Sequence, residues 1–547
     1  MGTVLSSQGK RLEGAEGVRL LAQAIQAFRE ALKVYTREQL PQDWTRTQDN
    51  LGVVLRLEGE RLEGAESVRL LAQAVEASRE ALTVYTREQQ PQDWAKTQNN
   101  LGGSLERQGK RVEGAEGVRL LAQAAEAFRE ALKVYTRAQQ PQEWAITQDN
   151  LSVVMSSQGE RLEGAEGLRL LTQAVEASRE ALKVYTRDER PQDWAITQNN
   201  LGASLQMLAE REEEAEGLRL LAQAAEAFRQ ALKVQTREQL PQDWARAQDN
   251  LGVVLSSQGE RLEGAEGVRL LAQAIEAFRE ALTVYTREQL PQRWAMTQNN
   301  LGAALSSQGQ RLQGTEGVRL LGQAIEAYRE ALKVYTREHL QRGWATTQSN
   351  MAGAYLLVHN WAAAAESYSN VLTIRPNDEE AYHQASRLYQ NTLFNFEEAF
   401  ALNQQWLTQH PDDASVRLDL AEKYFTTGRF ADCEQQVNAL LSKPEVSASD
   451  RPPLRAIEIA DLLSLSQIGQ VSAKVDALID DVSRQPAEFQ VTWHLDGTRH
   501  FIGQAEKLLP YRVWLGQLFG ALASRDRDTM LRALQEVRTK MKSNVHK

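Results

Sequence analysis

Seven asparagines recur at intervals of fifty residues, and their side chains could hold a peptide backbone. They are Asn50, Asn100, Asn150, Asn200, Asn250, Asn300 and Asn350. A carboxamide has two N–H donors and one C=O acceptor, so it can pair with both polar groups of a main-chain peptide unit whatever the side chains are. A row of these groups would form a ladder for an extended chain. The alternative is that each asparagine bonds to the neighbouring repeat.

The residues beside these asparagines vary between copies and could select the bound chain. The preceding residue alternates between two sets, Asp49, Asp149 and Asp249 on one side and Asn99, Asn199 and Asn299 on the other. Four residues before the asparagine, the cations are Arg46, Lys96 and Arg246, while other copies carry apolar residues or threonine. The alternation indicates that a pair of repeats was duplicated. It either creates alternating acidic and neutral sites or records only the duplication.

Groups for catalysis are sparse in this chain. The one cysteine, Cys433, occupies a small-residue position of a predicted helix and is interpreted as a buried structural thiol. No His-Glu-x-x-His, phosphate-binding or Gly-x-Ser-x-Gly motif occurs. His494 and His500 flank Asp496-Gly497, but no carboxylate or cysteine joins them at ligand spacing. The sequence therefore predicts no catalytic residue, metal or cofactor.

Tryptophan and proline keep the same register and define the elements that carry these residues. The tryptophans run from Trp44 to Trp344, and the prolines from Pro41 to Pro291. Apolar and small residues at three- and four-residue spacing predict two helices per unit, about 44–61 and 68–88, with Pro91 ending the second. A helix pair cannot bury its apolar face alone, so the pairs are expected to stack, with the tryptophans packed between repeats.

The order Trp244, Leu251-Gly252, Leu255, Ala274, Phe278, Ala281-Leu282 and Pro291 resembles the tetratricopeptide repeat. The departure is length, because that family's unit has about 34 residues. The run from Asn299 to Gly302 is similar to the long variant in kinesin light chains. Such arrays also resemble bacterial ones found beside caspase-like (CHAT) peptidases or signalling ATPases.

This resemblance implies an all-α fold, a right-handed superhelix whose first helices line a concave surface. The family pattern places positions 46, 49, 50, 53, 56 and 57, and their fifty-residue equivalents, on that surface. The likeness to kinesin light chains implies that the asparagines contact a bound peptide.

Three segments are expected. Residues 1–350 form seven long repeats, of which the first is truncated, so that the chain is either a fragment or begins with an uncapped helix. Residues 351–444 form three ordinary repeats, and residues 445–547 form a mostly helical cap. In the cap, helices are predicted at about 454–468, 471–484, 503–523 and 526–542, with a short hairpin or an irregular loop at 489–497.

The amino-acid composition narrows the classes of molecule that the chain is expected to bind. The chain has 63 basic and 73 acidic residues, a balance that disfavours nucleic acid. No apolar run approaches the ~20 residues that span a bilayer, and no signal peptide is visible, so a cytoplasmic location is expected without a membrane partner.

The function expected is a non-catalytic scaffold that binds an extended peptide or protein segment. The alternative is a regulatory or sensor arm of a larger effector, and the third hypothesis is an enzyme within 445–547. The oligomeric state does not follow from the sequence.

Overall fold

A computed structural model describes residues 1–12, 14–444, 446–524 and 526–544. Every regular element in these ranges is a helix, which confirms the predicted all-α class. The chain divides into two compact units, Met1–Leu290 and Pro291–Lys547.

The first unit is a series of helix pairs. Its helices are α1 (Gly2–Arg11), α2 (Gly14–Leu32), α3 (Pro41–Arg61), α4 (Gly64–Leu82), α5 (Pro91–Arg111), α6 (Gly114–Ala131), α7 (Pro141–Arg161), α8 (Gly164–Ala181), α9 (Pro191–Ala209), α10 (Glu214–Leu232), α11 (Pro241–Arg261) and α12 (Gly264–Leu282). Each odd-numbered helix packs against the even-numbered helix that follows, and consecutive pairs stack on each other. This arrangement of stacked pairs is an α-solenoid.

The prolines begin helices, which corrects one sequence prediction. The second helix of a pair ends near Leu82 rather than Glu88, and a turn follows it. Pro91 is then the first residue of α5. Proline fits this place because the first helical N–H has no acceptor within the helix, and the ring already fixes φ at a helical value.

Small residues and tryptophans determine how closely the helices pack. A Cβ on Gly102 would lie 2.8 Å from the ring of Phe128, so glycine allows α5 to approach α6 closely. Trp94 and Trp144 pack against the buried cluster formed by Ala95, Ala131 and Tyr135. The tryptophans therefore contribute to packing between repeats, as predicted.

The second unit begins with two helices as long as those of the first unit, and most of the helices after them are shorter. They are α13 (Pro291–Arg311), α14 (Gly314–Ala331), α15 (Gln341–Leu357), α16 (Trp361–Leu372), α17 (Glu379–Asn391), α18 (Phe396–Gln409), α19 (Ala414–Thr426), α20 (Phe430–Leu441), α21 (Arg451–Ser464), α22 (Ile468–Ser483), α23 (Asp496–Gln504), the 3-10 helix Glu506–Tyr511, α24 (Arg512–Leu522) and α25 (Arg527–Asn544). One apolar core joins α19 and α20 to the helices after residue 450.

In the last hundred residues, the irregular-loop alternative holds at 489–495, which has no regular structure. Asp496 begins α23 and does not form a hairpin turn. The single helix predicted at 503–523 is divided into a 3-10 helix and α24, with Pro510 inside the 3-10 helix. Proline lacks the N–H that a continuous α-helix would use there. None of the helices described is both long and apolar enough to cross a bilayer.

Candidate functional site

The ladder asparagines all lie on first helices of pairs, and each of their side chains is half-buried. Asn50, Asn100, Asn150, Asn200 and Asn250 lie on α3, α5, α7, α9 and α11 of the first unit, and Asn300 and Asn350 lie on α13 and α15 of the second. The sequence register therefore places them at one repeated position of the helix pair.

Two of these asparagines bond across consecutive pairs in the first unit. Asn100 Nδ2 lies 2.8 Å from Asp49 Oδ1. Asn200 Nδ2 lies 3.1 and 3.0 Å from the two carboxylate oxygens of Asp149. One amide hydrogen of each asparagine is therefore engaged between repeats, which is the alternative that the sequence left open.

The two-repeat period in the sequence has a counterpart in these bonds. The acceptors Asp49 and Asp149 belong to the acidic set, whereas Asn150 and Asn250 follow repeats of the neutral set. Within the described ranges of the first unit, neither Asn150 nor Asn250 makes a side-chain bond to the preceding repeat. In the second unit Asn350 Nδ2 lies 3.1 Å from Asn299 Oδ1, so the alternation is not strict.

The neutral residues before the ladder asparagines serve internal contacts. Asn99 Nδ2 donates to Thr147 Oγ1 at 2.7 Å, and Asn199 Nδ2 donates to Gln235 Oε1 at 2.7 Å. Asn199 and Asp249 are each only 4% exposed. Asn199 and Asp249 therefore lie beneath the surface that a ligand would reach, whereas Asn99 is half-buried.

The arginines predicted to face a ligand are paired within their own helices. Arg46 Nη2 lies 2.5 Å from Asp43 Oδ1, and Arg246 Nη2 lies 2.8 Å from Asp243 Oδ1. Both pairs are exposed, so the ion pairs contribute little to stability and can exchange partners.

A charge cluster covers the positions of α3 and α5 that the family pattern predicted to face a ligand, here called the inner positions. Arg56 pairs with Glu60 at 2.6 Å, and Arg107 reaches the same carboxylate from the next pair at 3.0 Å. Lys110 and Arg107 also hold the buried Glu106, at 2.5 and 3.3 Å. Charges of both signs compensate one another here, so the variable inner positions of these two repeats interact mainly among themselves.

Asp49 and Asp149 occupy equivalent positions but have different neighbours. Lys96 Nζ lies 3.4 Å from Asp49 Oδ2. The residue equivalent to Lys96 beside Asp149 is Ile196, which is 40% exposed. Burial raises the pKa of Asp149 to about 6, and the hydrogen bond from Asn200 opposes that shift.

An open groove of about 810 Å³ lies in the second unit. Its wall includes His383, Ser386, Arg387, Gln390, Arg417, Asp419, Glu422, Lys423, Lys443, Asp450 and Trp493. Both basic and acidic side chains line it. The groove therefore offers contacts for a partner segment of mixed charge.

One wall residue of the groove stands at a position that corresponds to the ladder. Ser386 in α17 and Ala421 in α19 are both buried, lie three residues before a tyrosine, and correspond to Ala352 in α15. Gln384 and Asp419, two residues earlier, therefore stand where the long repeats have asparagine, and Asp419 lines the groove. The sequence prediction followed the ladder position only to residue 350. Continuing that register through the shorter repeats would have found Asp419.

The chain's own C-terminal segment occupies part of this region. Gly497 N–H donates to Asn391 Oδ1 at 2.9 Å, and Thr498 Oγ1 donates to Glu422 Oε1 at 2.5 Å. Burial raises the pKa of Glu422 to about 7, while the Thr498 bond lowers it. Sequence reasoning did not pair these residues, because they are separated by seventy-six positions.

In the part of the chain that the structure describes, Cys433 and His500, whose residue types could serve catalysis, make packing contacts. Cys433 is fully buried, its Sγ lies 3.4 Å from the carbonyl oxygen of Ala421, and burial raises the pKa of its thiol. The thiol is thus a packed core group, in agreement with the sequence interpretation. His500 stacks on Phe394 with ring centroids 3.7 Å apart. No group of three or more His, Cys, Asp or Glu in the described ranges could hold a metal ion.

The comparisons identify the repeat in the second unit. Residues 393–445 match the family described as Tetratricopeptide repeat. No curated protein matches the chain. Among solved structures, the chain is similar to YrrB, titled a TPR protein with an unusual peptide-binding site, at 16% identity, with 47% of this chain and 97% of that chain covered and a TM-score of 0.30.

Two further structures are similar at low identity. The C-terminal part of a TPR repeat-containing protein from Cytophaga hutchinsonii has 10% identity, 62% and 98% coverage of the two chains and a TM-score of 0.33. Yeast Tom70 has 14% identity, 100% and 96% coverage and a TM-score of 0.27. The family match and the stacked helix pairs together place a tetratricopeptide repeat at residues 393–445.

Proposed function

We propose that this chain is a non-catalytic protein–protein interaction scaffold that binds an extended segment of a partner protein along the inner positions of its first helices. The single observation that supports the proposal most is the groove of about 810 Å³ along α17 and α19. Its volume lies within the range of ligand-binding clefts, about 300–1,000 Å³. Its wall includes Asp419, which stands at the position of the ladder asparagines.

In the first unit, the asparagine ladder belongs to the same proposal, with its members divided by role. Asn100 and Asn200 donate one amide hydrogen to the carboxylate of the preceding repeat. In the described part of the first unit, Asn150 and Asn250 are half-buried on equivalent turns and the equivalent acceptors Asn99 Oδ1 and Asn199 Oδ1 receive no bond, so both amide hydrogens of each remain for a ligand. We propose that these two contact the peptide backbone, while Asn100 and Asn200 keep neighbouring repeats in register.

A peptide selection tests the proposal. Peptides selected from a random library on the full chain would be measured by fluorescence anisotropy against wild type and three variants. For peptides bound to the first unit, the double variant Asn150→Ala, Asn250→Ala should weaken binding roughly tenfold, because each net hydrogen bond contributes about 0.5–1.5 kcal/mol. For peptides bound to the second unit, Arg387→Ala should weaken binding, since Arg387 is exposed and lines the groove.

The control variant is Arg119→Ala, whose side chain is exposed on a second helix and pairs with Glu116. It should leave every peptide affinity unchanged. Peptides that bind all four proteins equally would contradict binding at the inner positions. A selection that enriches no binding peptide would also count against the scaffold.

A further inference from the structure

One ion pair within the chain shows how a cation can approach the carboxylate that precedes a ladder asparagine. Lys96 on α5 places Nζ 3.4 Å from Asp49 Oδ2 on α3. The Asp49 side chain is 5% exposed, whereas that of Lys96 is 61% exposed. The lysine thus reaches the acid from the open side, with its charged end remaining near solvent.

The next equivalent contact keeps the packing but lacks the cation. Asn200 holds Asp149 in the same way that Asn100 holds Asp49, so α9 meets α7 in the register in which α5 meets α3. Ile196 lies one helical turn before Asn200 and takes the place of Lys96. In the ranges described, Asp149 has no ion pair with a basic side chain.

Apart from Asn200 and Thr197, whose hydrogen bonds lower the pKa of Asp149, its neighbours are apolar and acidic. Ile196 is 40% exposed and Ile146, at the same position of α7, is 43% exposed. Burial is the main cause that raises the pKa of Asp149, and the negative charge of Asp193 adds to it. Asp193 itself pairs with Arg190 at 2.6 Å. Asp149 is therefore a carboxylate that a cation from outside would stabilise.

We infer that the surface formed by Asp149, Ile146 and Ile196 receives a lysine or arginine side chain of the bound protein segment. The charged group takes the place that Lys96 fills beside Asp49, and the aliphatic stem packs on the two isoleucines. The inference rests on the proposed function and adds the chemistry of one residue of the partner. Asn150 follows Asp149 directly, so the same turn would contact both the backbone and the basic side chain.

Matched peptides test the inference on the full chain. The probes are acetylated nine-residue peptides of alternating alanine and serine with lysine, arginine, norleucine or glutamate at the centre. Methyl NMR of isoleucine-labelled protein reports the site directly. We expect the lysine and arginine peptides to shift the Ile146 and Ile196 methyl signals. They should also bind roughly tenfold more tightly than the norleucine peptide, because a hydrogen bond to a charged group contributes at least that much to affinity.

Two exchanges between the equivalent sites sharpen the test. Ile196→Lys supplies the internal cation and should abolish the preference for basic peptides, with folding retained because Lys96 occupies the equivalent position. Lys96→Ile removes the cation beside Asp49 and should add only a weaker second site for the lysine peptide, because Arg46 stands there in the place of Ile146. Asp149→Asn should remove the preference while the norleucine peptide binds as before.

The failures of the two proposals are distinguishable. If lysine, norleucine and glutamate peptides bind wild type and the Ile196→Lys variant equally, the inference is overturned. Peptide binding that is still weakened by the Asn150→Ala, Asn250→Ala variant would then leave the scaffold function standing. If none of the nine-residue probes binds at millimolar concentration, the inference is also overturned, and the library selection decides the proposed function separately.

Discussion

Arg161 donates a hydrogen bond of 2.9 Å from Nη1 to the backbone carbonyl of Val112 in the preceding repeat. Val112 directly follows the last residue of α5, where helical carbonyls have no partner of their own. Arg211 makes the equivalent bond to the carbonyl of Leu162 at 2.7 Å. The arginine at the end of one first helix therefore caps the end of the previous one, where a positive charge is also favoured by the helix dipole.

A glycine makes room for this contact, and its replacement provides the first prediction. A Cβ on Gly117 would lie 2.0 Å from Val112 O and 2.4 Å from Arg161 Nη1. Glycine to alanine normally stabilises a helix by up to about 1 kcal/mol. Gly117→Ala should instead lower stability by about 2 kcal/mol, because the displaced guanidinium loses hydrogen bonds to uncapped carbonyls. Urea unfolding followed by circular dichroism measures the change.

Gly322 on α14 is the matched control. A Cβ there meets nothing within 4 Å, and most other copies carry alanine at the equivalent position. Gly322→Ala should raise stability by about 0.5–1 kcal/mol. If Gly117→Ala stabilises the chain as Gly322→Ala does, the arginine contact is dispensable.

A second prediction concerns the pH dependence of stability at Asp149. Its folded pKa is raised from 3.8 to about 6, so the folded state binds the proton more tightly than the unfolded state does. The free energy of unfolding should therefore fall as pH rises from about 4 to about 6, by at most about 3 kcal/mol. Asp149→Asn should remove this dependence and make the protein more stable than wild type at pH 7.

The measurement is the urea midpoint of both proteins between pH 4 and pH 7. The amide introduced by Asp149→Asn could still accept the bond from Asn200, so the packing is kept. Asp49→Asn serves for comparison, because it removes the pair with Lys96 and should destabilise at pH 7. Parallel pH curves for wild type and Asp149→Asn would show that burial of Asp149 has no energetic consequence.

The repeat pattern predicted the helix pairs well but did not reveal the contacts that join successive pairs. Trp144 and Phe128 recur because they fill the core, and their apolar character is visible in the sequence. Arg161 and Gly117 recur just as regularly, yet each looks ordinary alone: a surface arginine and a small residue. Their contact depends on the stacking of successive pairs, which spacing within one repeat does not specify.

The groove was missed for a different reason. The change of repeat length after residue 350 shifts the register, so the groove residue Asp419 does not continue the fifty-residue series. The inner surface there also depends on Gly497 and Thr498, far along the chain, whose docking follows from tertiary packing. Local periodicity carries no information about which distant segment docks there.

A third prediction concerns the contact between Thr498 and Glu422. The folded pKa of Glu422 is raised from 4.5 to about 7, so the stabilisation of its protonated form is lost as pH rises from about 4.5 to about 7. Amides of residues 496–499 should therefore exchange hydrogen faster at pH 8 than at pH 6, after correction for intrinsic rates.

Glu422→Gln should abolish the pH effect. Glutamine can still accept the bond from Thr498 and is neutral throughout the range. Mass spectrometry of peptic fragments measures the exchange, with α21 as an internal reference. Equal pH dependence in wild type and Glu422→Gln would show that ionisation of Glu422 does not control how this segment is held.

The last prediction separates the two roles proposed for the ladder. Asn200→Ala leaves the partly buried carboxylate of Asp149 without its amide donor, and such a loss costs about 1–3 kcal/mol. Asn150→Ala removes no bond to the preceding repeat. Because alanine has the higher helix propensity, it should change stability by less than about 0.7 kcal/mol and in the stabilising direction.

A double-mutant cycle isolates the contact itself. Asn200→Ala should cost less when Asp149 is already alanine, because no carboxylate is then left unpaired. The coupling between positions 149 and 200 should reach about 1 kcal/mol, whereas the coupling between positions 99 and 150 should be close to zero. Urea unfolding of the single and double variants gives both values. Similar coupling energies for positions 149/200 and 99/150 would mean that Asn150 also joins neighbouring repeats. The peptide-binding role of Asn150 would then lose its structural basis.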